Sequence, residues 1–196
     1  ADNGANIINT SWGSTAQSAL ILAAVNYAAG KGSLIVAAAG NSDSAAKYYP
    51  AAFSNVLAVG ATSGTDTKAS FSNYGTWVGI VAPGVNIYST KYNDSYGYDS
   101  GTSMAAPLVA GVAALVFSMN PGTTSSEVLA RLKATADNID ALNPAYTGLL
   151  GSGRVNAYRA VQPPSVTFNP FAQNIAASLT PTLSGQVIDL ASDITK

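Results

Sequence analysis

The most orderly feature of the chain is a series of short, unbroken apolar runs, each stopped by glycine, proline or asparagine. Residues 33–41 read SLIVAAAGN, 54–62 read SNVLAVGAT, and 77–84 read WVGIVAPG. Runs of this length without polar alternation predict strands buried on both faces, as in a parallel sheet. A weaker β-type run, ANIINTSWG at 5–13, opens the chain and ends in polar residues and glycine. After it, TAQSALILAAVNYAAGKG at 15–32 is rich in alanine and leucine and predicts a helix, with Gly30 and Gly32 placed to end it.

Residues 86–103, NIYSTKYNDSYGYDSGTS, are polar and rich in tyrosine, and predict a hairpin with Asn93, Asp94 and Gly97 near its turns. An apolar run from Ser103 to Met119 predicts a buried core helix. It is shorter than the ~20 residues that span a bilayer, and Pro107 and Gly111 interrupt it. TTSSEVLARLKATAD at 123–137 predicts an exposed helix, opened by a capping box of Thr124 and Glu127 and striped with Val128, Leu129 and Leu132. GSGRVNAYRAV at 151–161 reads as an extended piece followed by a final helical turn or two. Strands alternating with helices imply a parallel sheet covered on both faces. From Pro163 prolines multiply among short β-type runs, so the expected division is a domain at 1–162 and a linker or β-rich segment at 163–196.

Composition narrows the function classes. With 47% of its 196 residues apolar and 10% charged, the chain has the makings of a packed core rather than of a disordered segment. A net charge of −1 gives no electrostatic reason to expect nucleic acid or an anionic membrane as partner. The absence of cysteine removes disulfides, thiolate metal sites and cysteine nucleophiles from consideration. No basic-then-apolar leader is visible at the start.

Three separated segments carry groups suited to acyl transfer. Ser103 stands at the start of the apolar helix, where free backbone N–H groups and the helix dipole favour a developing anion. Asn41 ends the run IVAAAGN, at the carboxyl end of a predicted strand, where ligands of α/β sheets bind. NTSWGS, residues 9–14, ends another strand and offers backbone groups at Ser11 and Gly13 to an extended peptide. Taken singly, each has a plainer reading: an N-cap serine, a Gly-Asn turn, and a strand end.

Taken together they resemble the subtilisin-like serine proteases. GTSMAAPLVAG at 101–111 is similar to that family's nucleophile motif, AAAGN at 37–41 to its oxyanion segment, and INTSWG at 8–13 to its substrate-binding strand. ASFSNYG at 69–75, followed by VAPG at 81–84, is similar to the run leading to the nucleophile. The resemblance is collinear from about Asn6 to Val161. It implies an α/β fold of three layers, a mostly parallel sheet with helices on both faces, from which the N-terminal part of the domain is missing. It implies Ser103 as nucleophile, and Asn41 with the Ser103 N–H as oxyanion donors. A polypeptide substrate would lie along Ser11, Trp12 and Gly13. Its side chain before the scissile bond would enter between that strand and Ala39, Gly40 and Asn41, with Tyr48 at the pocket floor and shortening it. The family habit also implies export from the cell.

The chain departs from the pattern in several places. It has no histidine, and Asp2, Asp43 and Asp66 do not resemble the family's catalytic aspartate motif. The expectation is that the N-terminal half, as a missing segment or a separate chain, supplies the Asp and His, and that these residues alone are inert. A parallel strand stripped of its neighbour would call for that partner, for self-association or for strand exchange. Leu108 stands where relatives place a histidine. Gly79 replaces an acid, so a tight Ca²⁺ site is not expected here; a structural calcium would belong to the complete domain. The alternative reading is a non-catalytic peptide-binding or scaffold module.

Overall fold

The computed structural model describes residues 1–119 and 121–162. Ala1–Val161 form one compact unit. The four apolar runs become strands β1 (Ile7–Thr10), β2 (Leu34–Ala38), β3 (Val56–Thr62) and β4 (Ile80–Pro83), all parallel and in the order β1-β2-β3-β4. Every residue of β2 is buried, and every residue of β3 after Val56. This is why those runs carry no polar alternation: both pleat faces are covered. Among the described residues β1 is paired along one edge only.

The two pleat faces meet different neighbours. Leu34, Val36 and Ala38 lie with Leu57, Val59, Ala61, Ile80 and Ala82 against helix α2 (Thr102–Met119), through its Ala105, Ala106, Val109, Val112, Ala113 and Val116. Alanine and valine at these positions let the helix axis approach the sheet closely. By length and composition α2 is apolar enough to cross a membrane. Its burial against all four strands accounts for that apolarity, although Leu115 and Met119 remain exposed.

Helix α3 (Ser125–Ala134) and the short α4 (Ala157–Val161) pack beside α2. The Thr124–Glu127 capping box opens α3 as the sequence suggests, with Thr124 N–H donating to Glu127 Oε2 at 2.7 Å and Glu127 N–H to Thr124 Oγ1 at 3.3 Å. The opposite pleat face is met by Ala51, Trp77, Val78, Ile139 and Leu150. Helix α1 (Ala19–Gly30), capped by Ser18, joins β1 to β2, and the right-handed sense of parallel crossovers puts it on this second face.

One feature differs from expectation. Gly97 is not at a turn. In the hairpin of β5 (Ile87–Lys91) and β6 (Ser95–Asp99) it pairs with Ser89 in mid-strand, under the Lys91 stem. The turn is made by Asn93 and Asp94, both with positive φ. Beyond β4 lies an ion-pair cluster. Val81 N–H donates to Gly153 O, and Val155 N–H donates to Val81 O, so 153–155 extends the sheet. Arg154 fixes this segment, gripping both oxygens of Asp66 at 2.8 Å and Asp137 at 2.7 Å. The Arg154 hydrogen bond holds the Asp137 carboxyl below its ordinary range. Partial burial opposes that shift, while Asn156 and the Arg154 and Arg159 charges add to it. The linker or β-rich segment expected at 163–196 lies outside the described residues.

Candidate active site

The helix that carries Ser103 begins one residue earlier than the sequence suggests, at Thr102. Ser103 is therefore inside the first turn rather than at the cap. The first N–H groups of a helix have no intrahelical partner, and here a distant side chain supplies one. Asn41, at the end of β2, accepts from Thr102 N–H at 2.8 Å and from the Thr102 hydroxyl at 2.9 Å, both through Oδ1. A backbone N–H only donates, so the atom facing it must be the carboxamide oxygen. The Asn41 NH₂ is thereby turned outward, beside Gly101, 3.3 Å from where a Cβ on that glycine would stand.

Asn41 Nδ2 and the Ser103 N–H each meet no acceptor among the described residues. They are two unengaged donors at one helix N-terminus, beside a hydroxyl. The arrangement suits an oxygen that gains negative charge.

The turn that presents Asn41 is held from beneath. Thr102, fully buried, accepts from Gly40 N–H at 3.0 Å. Asn73, 2% exposed, accepts from Ser42 N–H at 2.9 Å and Ser44 N–H at 3.2 Å, and donates to Ala39 O at 2.8 Å. One carboxamide thus pins the backbone on both sides of Asn41. Sequence reasoning missed Thr102 and Asn73 as individual residues. Their signal lay inside motifs already in view, GTS and ASFSNYG.

Ser103 reaches the opening strand. Its hydroxyl donates to Ser11 O at 3.1 Å, and the Ser11 hydroxyl donates to Ser103 O at 2.9 Å. Pro107 explains the second bond. It stands four residues after Ser103 and has no N–H, so the Ser103 carbonyl lacks its helical donor and takes one from Ser11. The structure thus brings Ser103, Asn41, Ser11 and Gly13 into one region, with Ala39 and Gly40 forming the neighbouring chain. Trp12 is 55% exposed at the rim. Tyr48 stands across Gly13, donating its hydroxyl to Gly13 O at 2.6 Å.

On the other side of Ser103 lies a groove of about 270 Å³, walled by the β5–β6 hairpin and the start of α2. Leu108 and Pro107 form its apolar side, and Lys91 ion-pairs with Asp99 on the hairpin side. A Cβ built on Gly79 would stand 2.6 Å from Leu57 Cδ1, and the Trp77 indole N–H donates to Ala45 O at 3.1 Å. Among the described residues no group of three or more acidic or imidazole side chains could hold a metal.

The chain is similar to known proteins over most of its length. A family model described as the subtilase family, Peptidase S8, matches residues 1–159. A thermophilic serine proteinase of Bacillus sp. (strain AK1) is 48% identical over 161 residues, which are 82% of this chain and 39% of that protein. Thermitase of Thermoactinomyces vulgaris is 48% identical over 162 residues, 83% of this chain and 56% of that protein. A solved structure of proteases from Pseudoalteromonas arctica superposes with a TM-score of 0.74 at 36% identity, covering 82% of this chain and 52% of that one. The prenylagaramide maturation protease PagA gives 0.74 at 33%, covering 82% and 62%. The chain spans about half the length of the curated relatives it matches.

Proposed function

The chain belongs to the subtilase family, and from that premise we propose that it supplies the nucleophile and the oxyanion donors of an exported serine endopeptidase. The observation that carries this reading is the pair of unengaged donors, Asn41 Nδ2 and Ser103 N–H, set beside the Ser103 hydroxyl. The capping bond through Oδ1 sets the plane of the Asn41 carboxamide, so its exposed NH₂ stands beside Gly101 at the start of the helix.

In the proposed reaction Ser103 Oγ attacks the scissile carbonyl carbon and its proton passes to an imidazole. The carbonyl oxygen becomes an oxyanion between Asn41 Nδ2 and Ser103 N–H. The C–N bond breaks as the imidazolium proton moves to the departing amine, leaving an ester on Ser103. Water then releases the acyl group by the same sequence. The imidazole, and the carboxylate that orients it, come from outside these residues, because the chain has no histidine. A serine hydroxyl without such a base is a poor nucleophile, and here it rests on a carbonyl, Ser11 O. The segment that brings the imidazole would pair with the open edge of β1 and fill the groove beside Leu108, in place of self-association.

The experiment is hydrolysis of peptide substrates by the assembled catalytic domain, with Ser103→Ala as control. Cleavage abolished by that substitution is the expected result. Cleavage that survives it would assign the activity elsewhere. A second reading, a peptide-binding module without catalysis, draws on the reciprocal Ser11–Ser103 hydrogen bonds, which engage the hydroxyl with a non-basic partner. It requires peptide binding with no turnover in the assembled domain.

A further inference from the structure

The geometry points to Tyr48 as a plug that fills the pocket for the side chain preceding the scissile bond, so that this site takes glycine, alanine or serine there and rejects large apolar side chains. The inference rests on the proposed reading of Ser103, and deepens it. In the proposed reading of Ser103 that side chain would enter between two chain segments, Ser11–Gly13 and Ala39–Asn41, and here the Tyr48 ring lies between Gly13 of the one and Gly40 of the other. A Cβ built on Gly13 would stand 2.5 Å from the Tyr48 ring and 2.5 Å from Tyr49 O. A Cβ built on Gly40 would stand 3.0 Å from the same ring. Both glycines are thus in close contact with one side chain, one from each wall. Gly40, with φ of +99°, also adopts a conformation that residues with a Cβ rarely take.

The ring is not free to swing aside at no cost. Its hydroxyl donates to Gly13 O at 2.6 Å, and the next residue ties the same strand, Ser14 N–H donating to Tyr49 O at 2.8 Å and Tyr49 N–H to Ser14 O at 2.7 Å. The loop 39–44 behind the ring is pinned by Asn73. Opening the pocket to a phenyl or long aliphatic group requires breaking the tyrosyl bond and moving a half-buried ring. A methyl or hydroxymethyl group needs no such movement. The hydroxyl also occupies Gly13 O, one of the backbone acceptors available to an extended peptide.

The test uses two peptide series differing only at the residue before the scissile bond, with Ala or Phe there. Affinity is measured by calorimetry on the catalytically silent Ser103→Ala protein in the assembled domain, and kcat/KM on the wild type. The expected result is a preference for Ala over Phe of at least about tenfold in both, the order of discrimination an apolar pocket supports. Tyr48→Ala should erase or reverse that preference by raising the Phe series, while Tyr48→Phe, which keeps the ring, should retain it. Equal or better binding of Phe by the Ser103→Ala protein overturns the plug whether or not the wild type turns over. Selective binding of the Ala series without any cleavage upholds the plug and overturns the nucleophile reading.

Discussion

Thr102→Val tests the part of the account that depends most on geometry. Valine has nearly the shape of threonine, so packing around this fully buried position is preserved while two hydrogen bonds disappear: Gly40 N–H to Oγ1 at 3.0 Å and Oγ1–H to Asn41 Oδ1 at 2.9 Å. Each bond contributes about 1 kcal/mol net, and a buried N–H left without an acceptor costs about 1–3 kcal/mol. Gly40 is buried, so water does not readily replace the lost hydroxyl. The combined destabilisation is about 2–4 kcal/mol, which at ~2–4 °C per kcal/mol lowers the melting temperature by roughly 5–15 °C for a domain of this size. Asn41 keeps only the bond from Thr102 N–H, so its NH₂ loses its fixed aim. Removal of an oxyanion donor costs about 10²–10³ in kcat, a magnitude measured on the oxyanion asparagine of subtilisin and borrowed from that family member. Loss of aim alone should cost up to about the lower end of that range, with KM little changed, because the interaction forms in the transition state. The assays are a calorimetric melt and the kcat and KM of the assembled domain. A melting shift under ~1 °C together with unchanged kcat would refute the claim that Thr102 holds Asn41.

Other outcomes follow from the same structure. Asn73→Ala frees the backbone on both sides of Asn41, and steady-state kinetics should show kcat falling about tenfold or more with a smaller change in KM; a purely structural role would lower the melting temperature and leave kcat of the folded fraction intact. The Asp137 carboxyl is held below its ordinary range by its hydrogen bond from Arg154. Its contribution to stability is therefore full above the unfolded value, near pH 4, and is lost as pH falls through the lowered folded value. Urea denaturation from pH 7 to pH 3 should show the gap between wild type and Asp137→Asn closing only below about pH 4. Thr124→Ala removes half of the capping box and should cost about 1 kcal/mol in the same denaturation assay at pH 7.

How much of this was legible in the sequence depends on the distance between interacting residues. The parallel sheet was legible because β2, β3 and β4 are buried on both faces and cannot hide that in their composition. The capping box was legible because Thr124 and Glu127 are three residues apart. Ser103 and Asn41 were nameable through motifs, but the reason they meet was not. That reason is a contact between Asn41 and Thr102, 61 positions apart. The service of Asn73 to Ser42 and Ser44, about thirty positions away, has the same character: a carboxamide carries no mark of which backbone it will bind. Asn93 and Asp94 make the turn as the sequence suggests, both with positive φ, while Gly97 misled because glycine in a polar, tyrosine-rich stretch reads as a turn and here sits in mid-strand. The Arg154 cluster gave no signal either, since it joins Asp66 and Asp137 only after the chain has folded back beside β4.

The central claim is that Ser103 is chemically competent but waits for an imidazole that these residues do not contain. Intact-mass and peptide mass spectrometry after exposure to a fluorophosphonate tests it directly. The expected result is stoichiometric modification at Ser103 in the assembled domain and none in the 196-residue chain alone on the same time scale. Rapid modification of the isolated chain, or an assembled domain that carries both the histidine and the aspartate yet leaves Ser103 unmodified, would contradict it.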